Sequence, residues 1–325
     1  MSWQAWQQSD PRTPAQLVTL PDEALADSEV VIAVERSAIN YKDALALTAT
    51  APIARCDHLV LGIDLAGTVV SAPAQSGLAA GAAVFATGCG LGERWPGGLA
   101  TRACCPGEWL HTLPHGTTSE WAMGLGTAGL TAWLCVERLR SMGITPERGA
   151  IAVTGASGGV GSISVALLAA MGYTVHAITG ADAAHELLRD LGATEILSRD
   201  SLSPGKALQS AHFAAAVDTV GGEPLASLLA QIDHLGAVAA CGNAAGMGLT
   251  TTVAPFILRG VALLGVDSTR VPREQRDAAW QGLAEFLPPS VVAQWSHSVA
   301  LDAVAQTAEL LVANKLSGRC IVRCQ

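Results

Sequence analysis

The chain has 325 residues, of which half are hydrophobic and 14% are charged, and its formal net charge is −9. This length suffices for two globular domains, the composition excludes intrinsic disorder, and the negative charge disfavours a nucleic-acid-binding surface. Residues 1–12 contain no basic region and no long apolar run, so we expect neither a signal peptide nor a membrane anchor. Eight cysteines occur without a C-x-x-C pair, which is typical of reduced thiols in a cytoplasmic protein.

The N-terminal part of the chain, up to about residue 122, has the pattern of a β-rich domain. Segments 27–40, 62–72 and 81–88 predict short strands bounded by Gly and Pro. Repeated short strands of this kind favour a small barrel-like domain. Segment 119–139 then has the pattern of a helix with many small residues that allow close packing.

From residue 151 onward, predicted strands and helices alternate. Strands are predicted at 151–155, 174–179, 195–197, 214–221, 236–242 and 262–267, and helices at 160–172 and 183–193. Six strands with helical crossovers form a doubly wound parallel sheet, so the chain is of the α/β class. Helices at 273–287 and 301–314 and a strand at 318–324 follow, and we expect this tail to complete the first domain or to flank the second.

A glycine-rich turn joins the first strand of this sheet to its helix. Gly155, Gly158, Gly159 and Gly161 let the backbone turn tightly and let a pyrophosphate approach the peptide groups. The free N–H groups of the helix N-terminus and the helix dipole attract the negative charge. Glycines in a turn also serve packing alone, but the strand–turn–helix context predicts a dinucleotide site.

The end of the second strand of the sheet indicates which dinucleotide binds. Thr179 and Gly180 stand where an NAD-preferring site has an acidic residue for the ribose 2′-hydroxyl, which favours NADP(H). Asp182 follows two positions later and weakens this inference. Arg199 is the nearest cation expected at the same sheet edge, where it either meets the 2′-phosphate or is a solvated surface charge.

Eight short motifs occur in the order known from one family of dehydrogenases. They are NYKDALALT at 40–48, GIDLAGTV at 62–69, GTAGLTAWLCV at 126–136, VTGASGGVGS at 153–162, AVDTVGG at 216–222, GAVAACG at 236–242, PFILRGVALLGVDS at 255–268 and Gly-Arg at 318–319. The chain thereby resembles the medium-chain dehydrogenase/reductase superfamily, specifically its zinc-independent, quinone-oxidoreductase-like group and the acryloyl-CoA reductase branch of that group.

The resemblance implies a division into two domains. Residues 1–122 and 269–325 would form a GroES-like β-barrel catalytic domain, and residues 123–268 an inserted Rossmann domain that binds NADP(H), with the active site in the cleft. It also implies a homodimer formed through the last Rossmann strand.

The resemblance further implies that no metal takes part. Zinc alcohol dehydrogenases of the superfamily carry Gly-His-Glu where this chain has Gly62-Ile63-Asp64, and Ile63 has no atom that ligates zinc. The four-cysteine lobe of the structural zinc is missing as well. Zinc-alkoxide chemistry is therefore disfavoured, and reduction of an activated C=C bond by hydride transfer to its β-carbon becomes the natural reaction.

Such a reduction places negative charge on a carbonyl oxygen, which needs hydrogen-bond donors, and the α-carbon needs a proton. Asn40 is a candidate donor, and Tyr41, one of only two tyrosines, is a candidate to pack on the nicotinamide or to relay a proton. Asp64 is either a structural carboxylate or a group that orients these two. The phosphates of a CoA substrate need cations, and the candidates, which also fit a solvated helix face, are Arg270, Arg273 and Arg276.

The remaining cofactor candidates follow from the resemblance and from the carboxyl ends of the strands, where ligands of doubly wound sheets bind. The complete set is Tyr41, Thr127, Ser157, Gly158, Gly159, Val160, Gly161, Thr179, Gly180, Arg199, Thr219, Val220, Cys241, Gly242, Asn243, Ile257, Ser268 and Asn314. Cys89 and Asn243 replace a Trp and a Leu that are common in the family, and Gly180-Ala181 replaces Gly-Arg.

The sequence thus predicts an NADPH-dependent reductase of α,β-unsaturated thioesters, with acryloyl-CoA as the best candidate substrate and propionyl-CoA as its product. Two alternatives stay open. One is a quinone or enone reductase with a small uncharged acceptor, and the other is a non-catalytic NADPH-binding redox sensor. We expect a cytoplasmic homodimer that binds a small-molecule substrate, an acyl-CoA, and binds neither nucleic acid nor a membrane.

Overall fold

The computed structural model describes residues 2–25, 28–203 and 205–325, so the first residue of the strand predicted at 27–40 lies outside the described residues. In these ranges the strands are β1 (Ser2–Gln8), β2 (Gln16–Pro21), β3 (Val30–Ile39), β4 (Leu59–Val60), β5 (Asp64–Ser71), β6 (Ala83–Thr87), β7 (Arg102–Cys105), β8 (His111–Thr112), β9 (Ile151–Thr154), β10 (Val175–Thr179), β11 (Glu195–Ser198), β12 (Phe213–Asp218), β13 (Ile232–Ala240), β14 (Ala262–Gly265), β15 (Ser296–Ala300) and β16 (Arg319–Arg323). The α-helices are α1 (Tyr41–Leu47), α2 (Ser119–Ser141), α3 (Gly159–Ala170), α4 (His185–Asp190), α5 (Gly222–Gln231), α6 (Ala254–Arg259), α7 (Arg273–Phe286), α8 (Pro289–Val292) and α9 (Val304–Val312).

Two compact units make up the chain. The first comprises Met1–Thr127, Thr269–Ala284 and Pro288–Gln325, and the second comprises Ala128–Ser268 and Glu285–Leu287. The first unit is therefore assembled from stretches that are far apart in the sequence.

The second unit contains the parallel sheet. Its strand order is β11-β10-β9-β12-β13-β14, and every neighbouring pair is parallel. This order is that of the dinucleotide-binding doubly wound fold, so the predicted Rossmann-type sheet is confirmed. Strands β9 and β12 are buried along their whole length, as expected for central strands covered on both faces. β13 starts earlier than predicted because Ile232 already pairs with Phe213, before an irregularity in the register.

The first unit contains two sheets built mainly from antiparallel pairs. One has the strand order β15-β16-β3-β5-β6-β8, with β7 paired to β3, and the other has the order β2-β1-β4. The C-terminal strand β16 pairs with β3 from Cys320↔Ile39 to Arg323↔Arg36, so the tail completes this unit. An apolar core that includes Ile32, Leu65 and Val322 supports the larger sheet. The sequence patterns did not predict the short helix α1, which is too brief for a clear helical period.

None of the helices in the described ranges combines the length and the apolar character that crossing a bilayer requires.

Candidate active site

Helix α1 of the first unit begins at the polar segment Asn40-Tyr41-Lys42-Asp43. The Asp43 carboxylate accepts hydrogen bonds from the backbone N–H of Asn40 at 2.8 Å and from Asn40 Nδ2 at 3.0 Å. Its other oxygen accepts the backbone N–H of Ile63 at 3.0 Å. Asp43 therefore caps the start of α1 and ties it to the residue before β5.

Asp64, the first residue of β5, lies fully buried beside this helix start. Its carboxylate accepts hydrogen bonds from Asn40 Nδ2 at 2.8 Å, from the backbone N–H of Thr127 at 3.0 Å and from Thr127 Oγ1 at 2.6 Å. Arg319, the first residue of β16, donates from Nη1 to Asn40 Oδ1 at 2.9 Å and places Nη2 3.7 Å from Asp64 Oδ2. These five residues, Asn40, Asp43, Asp64, Thr127 and Arg319, are called the polar hub below.

A kink in α2 makes room for the polar hub. Gly126 has φ 53° and ψ −153°, which interrupts the helical backbone. A Cβ at this position would lie 2.4 Å from Asp64 Oδ2 and 2.9 Å from Arg319 Nη2. Only glycine fits both the positive φ and the close approach, and the kink leaves the N–H of Thr127 free to reach Asp64.

Two carboxylates of the polar hub face one guanidinium. Burial raises the pKa of Asp43 to about 7, and the charge of Asp64 adds to this rise while the hydrogen bonds from Asn40 and Ile63 oppose it. Burial also lowers the pKa of Arg319, although the charges of both carboxylates work in the opposite direction. Asp43 is therefore the group on which a proton relieves the excess negative charge.

The catalytic candidates have different surroundings. Both Nδ2 hydrogens of Asn40 are donated to Asp43 and Asp64, and its Oδ1 accepts from Arg319, so no N–H of this amide is left for an enolate. The donor role predicted for Asn40 thus lacks support from the geometry, whereas Asp64 accepts a hydrogen bond from the Asn40 amide, as its predicted orienting role requires. Tyr41 is 42% exposed, and its hydroxyl makes no hydrogen bond within the described ranges.

The glycine turn of the second unit is shaped by the absence of side chains. A Cβ at Gly161 would lie 2.2 Å from Gly155 O, and a Cβ at Gly155 would lie 2.4 Å from Thr219 Oγ1. Helix α3 begins at Gly159 after Gly158, and no side chain caps its first turn. The backbone N–H groups of Gly159 and Val160 therefore face no capping side chain, which fits a pyrophosphate bound at a helix N-terminus.

Side-chain hydrogen bonds join the carboxyl ends of β9 and β12, and the sequence analysis did not predict them. Thr154 Oγ1 donates to Asp218 Oδ1 at 2.7 Å, and Asp218 Oδ2 accepts the backbone N–H of Gly221 at 2.8 Å. Thr219 donates its backbone N–H to Thr154 Oγ1 at 3.1 Å and its hydroxyl to Thr154 O at 2.9 Å. The signal available in the sequence was an acidic residue at the end of an otherwise apolar strand.

Four predicted residues meet at the end of β10. Thr179 Oγ1 donates to Ser157 Oγ at 3.0 Å and accepts the backbone N–H of Ala181 at 3.1 Å. The guanidinium of Arg199 lies against the backbone of Gly180, because a Cβ there would be 2.0 Å from Arg199 Nη2. Arg199 is exposed and, among the described residues, forms neither a hydrogen bond nor an ion pair, so its donors are available to a ligand.

The other cofactor candidates are placed in two ways. At the ends of β12 and β13, Gly242 lies so close to Thr219 that a Cβ would be 1.9 Å from Thr219 O, and Cys241 Sγ is 3.5 Å from Asp218 O. Val220 and Asn243 flank these positions. Of the last three candidates, Ile257 is 72% exposed on α6, Ser268 accepts a hydrogen bond from Thr131 Oγ1 at 2.8 Å, and Asn314 is exposed in the first unit.

The three arginines considered for the substrate differ in what they already bind. Arg276 is buried and donates to Thr87 O at 2.9 Å and to Thr269 O at 3.1 Å, so its prediction as a solvent-facing phosphate ligand is wrong. Arg273 donates to Glu108 O at 2.8 Å and lies 3.5 Å from Asp277, in a cavity of about 460 Å³. Arg270 is exposed and unpaired in the described structure.

The position that carries a zinc ligand in zinc alcohol dehydrogenases holds Ile63, whose apolar side chain is 4% exposed. In the described ranges, no group of three or more His, Cys, Asp and Glu side chains is arranged to hold a metal ion.

Comparison with known proteins places the chain in a family. A model described as alcohol dehydrogenase GroES-like domain matches residues 26–122, and one described as zinc-binding dehydrogenase matches residues 159–286. The probable acrylyl-CoA reductase AcuI of Escherichia coli (strain K12) is 45% identical over 98% of this chain and 98% of its own length. The putative quinone oxidoreductase YhfP of Bacillus subtilis (strain 168) is 44% identical over 94% of this chain and 93% of its own length.

Solved structures agree with this placement. The structure of Escherichia coli K-12 YhdH with bound NADPH has a TM-score of 0.95 at 44% identity and covers 99% of both chains. That of Bacillus subtilis YhfP with NAD bound has a TM-score of 0.94 at 41% identity, also over 99% of both chains. The predictions of the fold class, of the enzyme class and of the family's NADP(H) cofactor are confirmed. The chain belongs to the medium-chain dehydrogenase/reductase family of oxidoreductases, in the quinone-oxidoreductase-like group that contains the acrylyl-CoA reductases.

Proposed function

We propose that this protein catalyses the NADPH-dependent reduction of the C=C bond of an α,β-unsaturated acyl thioester, with acryloyl-CoA as the first substrate to test. The observation that carries the proposal is the 45% identity, along nearly the whole length of both chains, to a protein named a probable acrylyl-CoA reductase. The hydrogen bonds around the NYKD segment and the glycine turn at the start of α3 support the proposal.

The second unit has the features that an NADP-type dinucleotide requires. The glycine turn leaves the pyrophosphate room at the N-terminus of α3, where Gly159 and Val160 offer backbone N–H groups. Ser157, Thr179 and Arg199 surround Gly180, where they would hold the 2′-phosphate that distinguishes NADP from NAD. Two hydroxyls and an unpaired guanidinium suit a dianionic group better than a neutral hydroxyl. When bound, NADPH supplies the hydride for the reduction.

In the first unit, Tyr41 is the residue we assign to the reacting carbonyl or to the α-carbon proton. Its phenol hydroxyl can donate a hydrogen bond, its side chain is exposed, and the hydroxyl has no partner in the described ranges. Asn40 and Asp64 are assigned a positioning role, because their hydrogen-bonding atoms are used within the polar hub. Ile63 supplies no metal ligand, so stabilisation of the enolate falls to hydrogen-bond donors.

The deciding experiment follows NADPH oxidation by the purified protein with acryloyl-CoA, crotonyl-CoA and a simple quinone, with NADH in place of NADPH as the cofactor control. We expect turnover with acryloyl-CoA, formation of propionyl-CoA, and a preference for NADPH. Activity with the quinone and none with either thioester would overturn the substrate assignment. Tight NADPH binding without turnover of any acceptor would instead favour the non-catalytic redox sensor.

A quinone or enone reductase is the second candidate. The specific observation in its favour is the 44% identity to YhfP, which is named a putative quinone oxidoreductase. The same machinery would serve, since a quinone also develops negative charge on a carbonyl oxygen during reduction.

We also propose a homodimer formed through β14. This strand is the edge of the parallel sheet, and an edge exposes unpaired N–H and C=O groups that a second copy can pair. Exposed apolar side chains lie beside it, including Leu258 and Leu263. Light scattering after Leu263→Glu should show a smaller species, whereas Leu310→Glu, at a leucine of equal 37% exposure on α9, should not change the mass.

A further inference from the structure

We propose that Arg319 is a positioning residue for the reduction, and that it acts by fixing the start of α1, on which Tyr41 stands. This inference rests on the proposed function for its kinetic part only. Burying the guanidinium of Arg319 costs desolvation energy. Arg319 is 3% exposed, yet its Nε and Nη2 have no hydrogen-bond partner in the described structure.

The partners of the Arg319 guanidinium are both members of the polar hub. Among the described residues, its guanidinium makes one hydrogen bond, to the side-chain carbonyl of Asn40, and one ion pair, with Asp64 at 3.7 Å. A buried cation that leaves two of its three nitrogens unbonded is a poor stabiliser, because its desolvation is only partly offset. The buried charge of Asp64 explains a cation at this place, whereas the hydrogen bond to Asn40 explains why this cation is an arginine.

The link from Arg319 to Tyr41 runs through the hydrogen bonds of Asn40 and Asp43. Because Arg319 donates to Asn40 Oδ1, the amide cannot rotate to exchange its oxygen and nitrogen, and Nδ2 stays directed at Asp43 and Asp64. Asp43 in turn accepts the backbone N–H of Asn40, the residue that precedes Tyr41. Arg319 therefore fixes the backbone from which the exposed Tyr41 side chain leaves the fold.

Lysine cannot replace arginine in this role. The planar guanidinium presents Nη1 to Asn40 and Nη2 towards Asp64 at the same time, whereas an ammonium on a flexible stem is a single point charge. Arg319→Lys keeps the positive charge between the two buried carboxylates and removes the two-point contact. Arg323→Lys is the matched control, since Arg323 lies exposed at the end of the same strand, β16.

The test compares the two variants with the acceptor that the wild-type protein reduces. We expect Arg319→Lys to lower kcat about 10-fold or more while the KM for NADPH changes by less than about 3-fold, because the loss concerns orientation of a catalytic group. Arg323→Lys should leave both constants unchanged. Arg319→Lys and Tyr41→Phe should also be non-additive, so that the lysine costs little once the hydroxyl is gone. Effects that multiply, or equal kcat values for the two arginine variants, would overturn the proposal.

A second readout does not depend on turnover. Amide hydrogen exchange in Tyr41–Leu47 should speed up about 10-fold in Arg319→Lys, while exchange in the parallel sheet of the second unit stays unchanged. If Arg319→Lys does not fold, Asn40→Ala removes the same link and keeps the Arg319–Asp64 pair, with the same expected result. Unchanged exchange in α1 would overturn the inference even if no acceptor is found, and a wild-type protein without turnover would overturn only the proposed function.

Discussion

The polar hub of the first unit and the glycine turn of the second unit differ in whether their hydrogen-bonding groups are already paired within the protein. In the polar hub, carboxylates, an amide and a guanidinium form hydrogen bonds with one another, so that the side-chain amide of Asn40 has no N–H left to donate to a ligand. In the glycine turn, side chains are missing, and the N–H groups at the start of α3 have no capping side chain. The comparison teaches that a polar motif marks a binding surface only where its atoms are unpaired.

The same contrast separates the cations. Arg199 lies against Gly180 with donors that find no partner among the described residues, whereas Arg273 and Arg276 bind protein oxygens. All three occur in similar sequence surroundings, after a strand or at the start of a helix. We expect the unpaired arginine to matter for ligand binding and the paired ones to matter for structure.

The largest expected effect tests the glycine turn. Gly161→Ala would place a Cβ 2.2 Å from the carbonyl oxygen of Gly155, an overlap with backbone that no rotamer relieves. We expect NADPH binding, measured by fluorescence titration, to weaken at least about 100-fold, which corresponds to about 2.7 kcal/mol. Gly248→Ala is the control, since a Cβ there meets no atom within 4 Å. A dissociation constant equal to that of the control would show that the turn is not the pyrophosphate site.

The next effect concerns the exposed hydroxyl of the first unit. Tyr41→Phe should lower kcat by about 10- to 100-fold, the range of a lost donor or proton relay, and should leave NADPH affinity nearly unchanged. The other tyrosine provides the control, because Tyr173 is buried and donates its hydroxyl to Ile144 O at 2.8 Å. Tyr173→Phe should lower the melting temperature and leave kcat unchanged. Equal turnover of Tyr41→Phe and wild type would remove Tyr41 from the chemistry.

The third prediction concerns the preference for NADPH over NADH, and its expected effect is somewhat smaller. Arg199→Gln removes an unpaired guanidinium, and a lost charge-assisted hydrogen bond is worth about 1.5–3 kcal/mol, so NADPH should bind about 10- to 100-fold more weakly. NADH lacks the 2′-phosphate and should bind with unchanged affinity. Titration of both dinucleotides separates the two cases. An equal loss for NADH and NADPH would mean that Arg199 supports the fold of this edge rather than the phosphate.

These regions also differ in how far the sequence predicts them. The strands of the parallel sheet and the glycine turn are predictable because apolar runs and Gly spacing determine them locally. The polar hub is not, because Asn40, Asp64 and Arg319 meet only when β3, β5 and β16 pair. The motif NYKD indicated where chemistry lies, but which of its atoms remain free depends on partners that are remote in the sequence.

The pH dependence of stability tests the charge balance of the polar hub. The pKa of Asp43 rises from 3.8 to about 7 on folding, so the native state holds more protons than the unfolded state between these values. The stability that this group contributes is fully present below about pH 4 and is lost as the pH rises towards 7. Asp64 and Arg319 face Asp43, and burial and the charge of Arg319 lower the pKa of His297, which is a second titratable group next to the polar hub.

Urea unfolding of wild type and Asp43→Asn between pH 5 and 8 isolates this contribution, because His297 is common to both proteins. The stability advantage of the wild type should shrink with rising pH, by an amount of the order of a few kcal/mol, and level off above about pH 8. Asp57→Asn, at an exposed aspartate, should run parallel to the wild type. A constant difference between wild type and Asp43→Asn would mean that Asp43 does not titrate between pH 5 and 8, which contradicts the raised pKa.

The smallest expected effect is on the KM for acryloyl-CoA, and it compares a paired arginine with an unpaired one. Arg273 is bound by Asp277 and by the carbonyl of Glu108, and Glu29 and Glu108 line its cavity, so a phosphate would meet a locally negative surface. We therefore expect Arg273→Ala to raise the KM for acryloyl-CoA by less than about 3-fold, the value of an exposed and screened charge. Arg270→Ala, at an exposed arginine without a partner in the described ranges, should raise it more. Acryloyl-pantetheine, which lacks the nucleotide phosphates, should show no difference between the variants. The contrary result is that Arg273→Ala raises the KM for acryloyl-CoA more than Arg270→Ala does and leaves the KM for acryloyl-pantetheine unchanged. A cation that is hydrogen-bonded within the fold would then still bind the phosphates, and the distinction between paired and unpaired arginines would be wrong at this site.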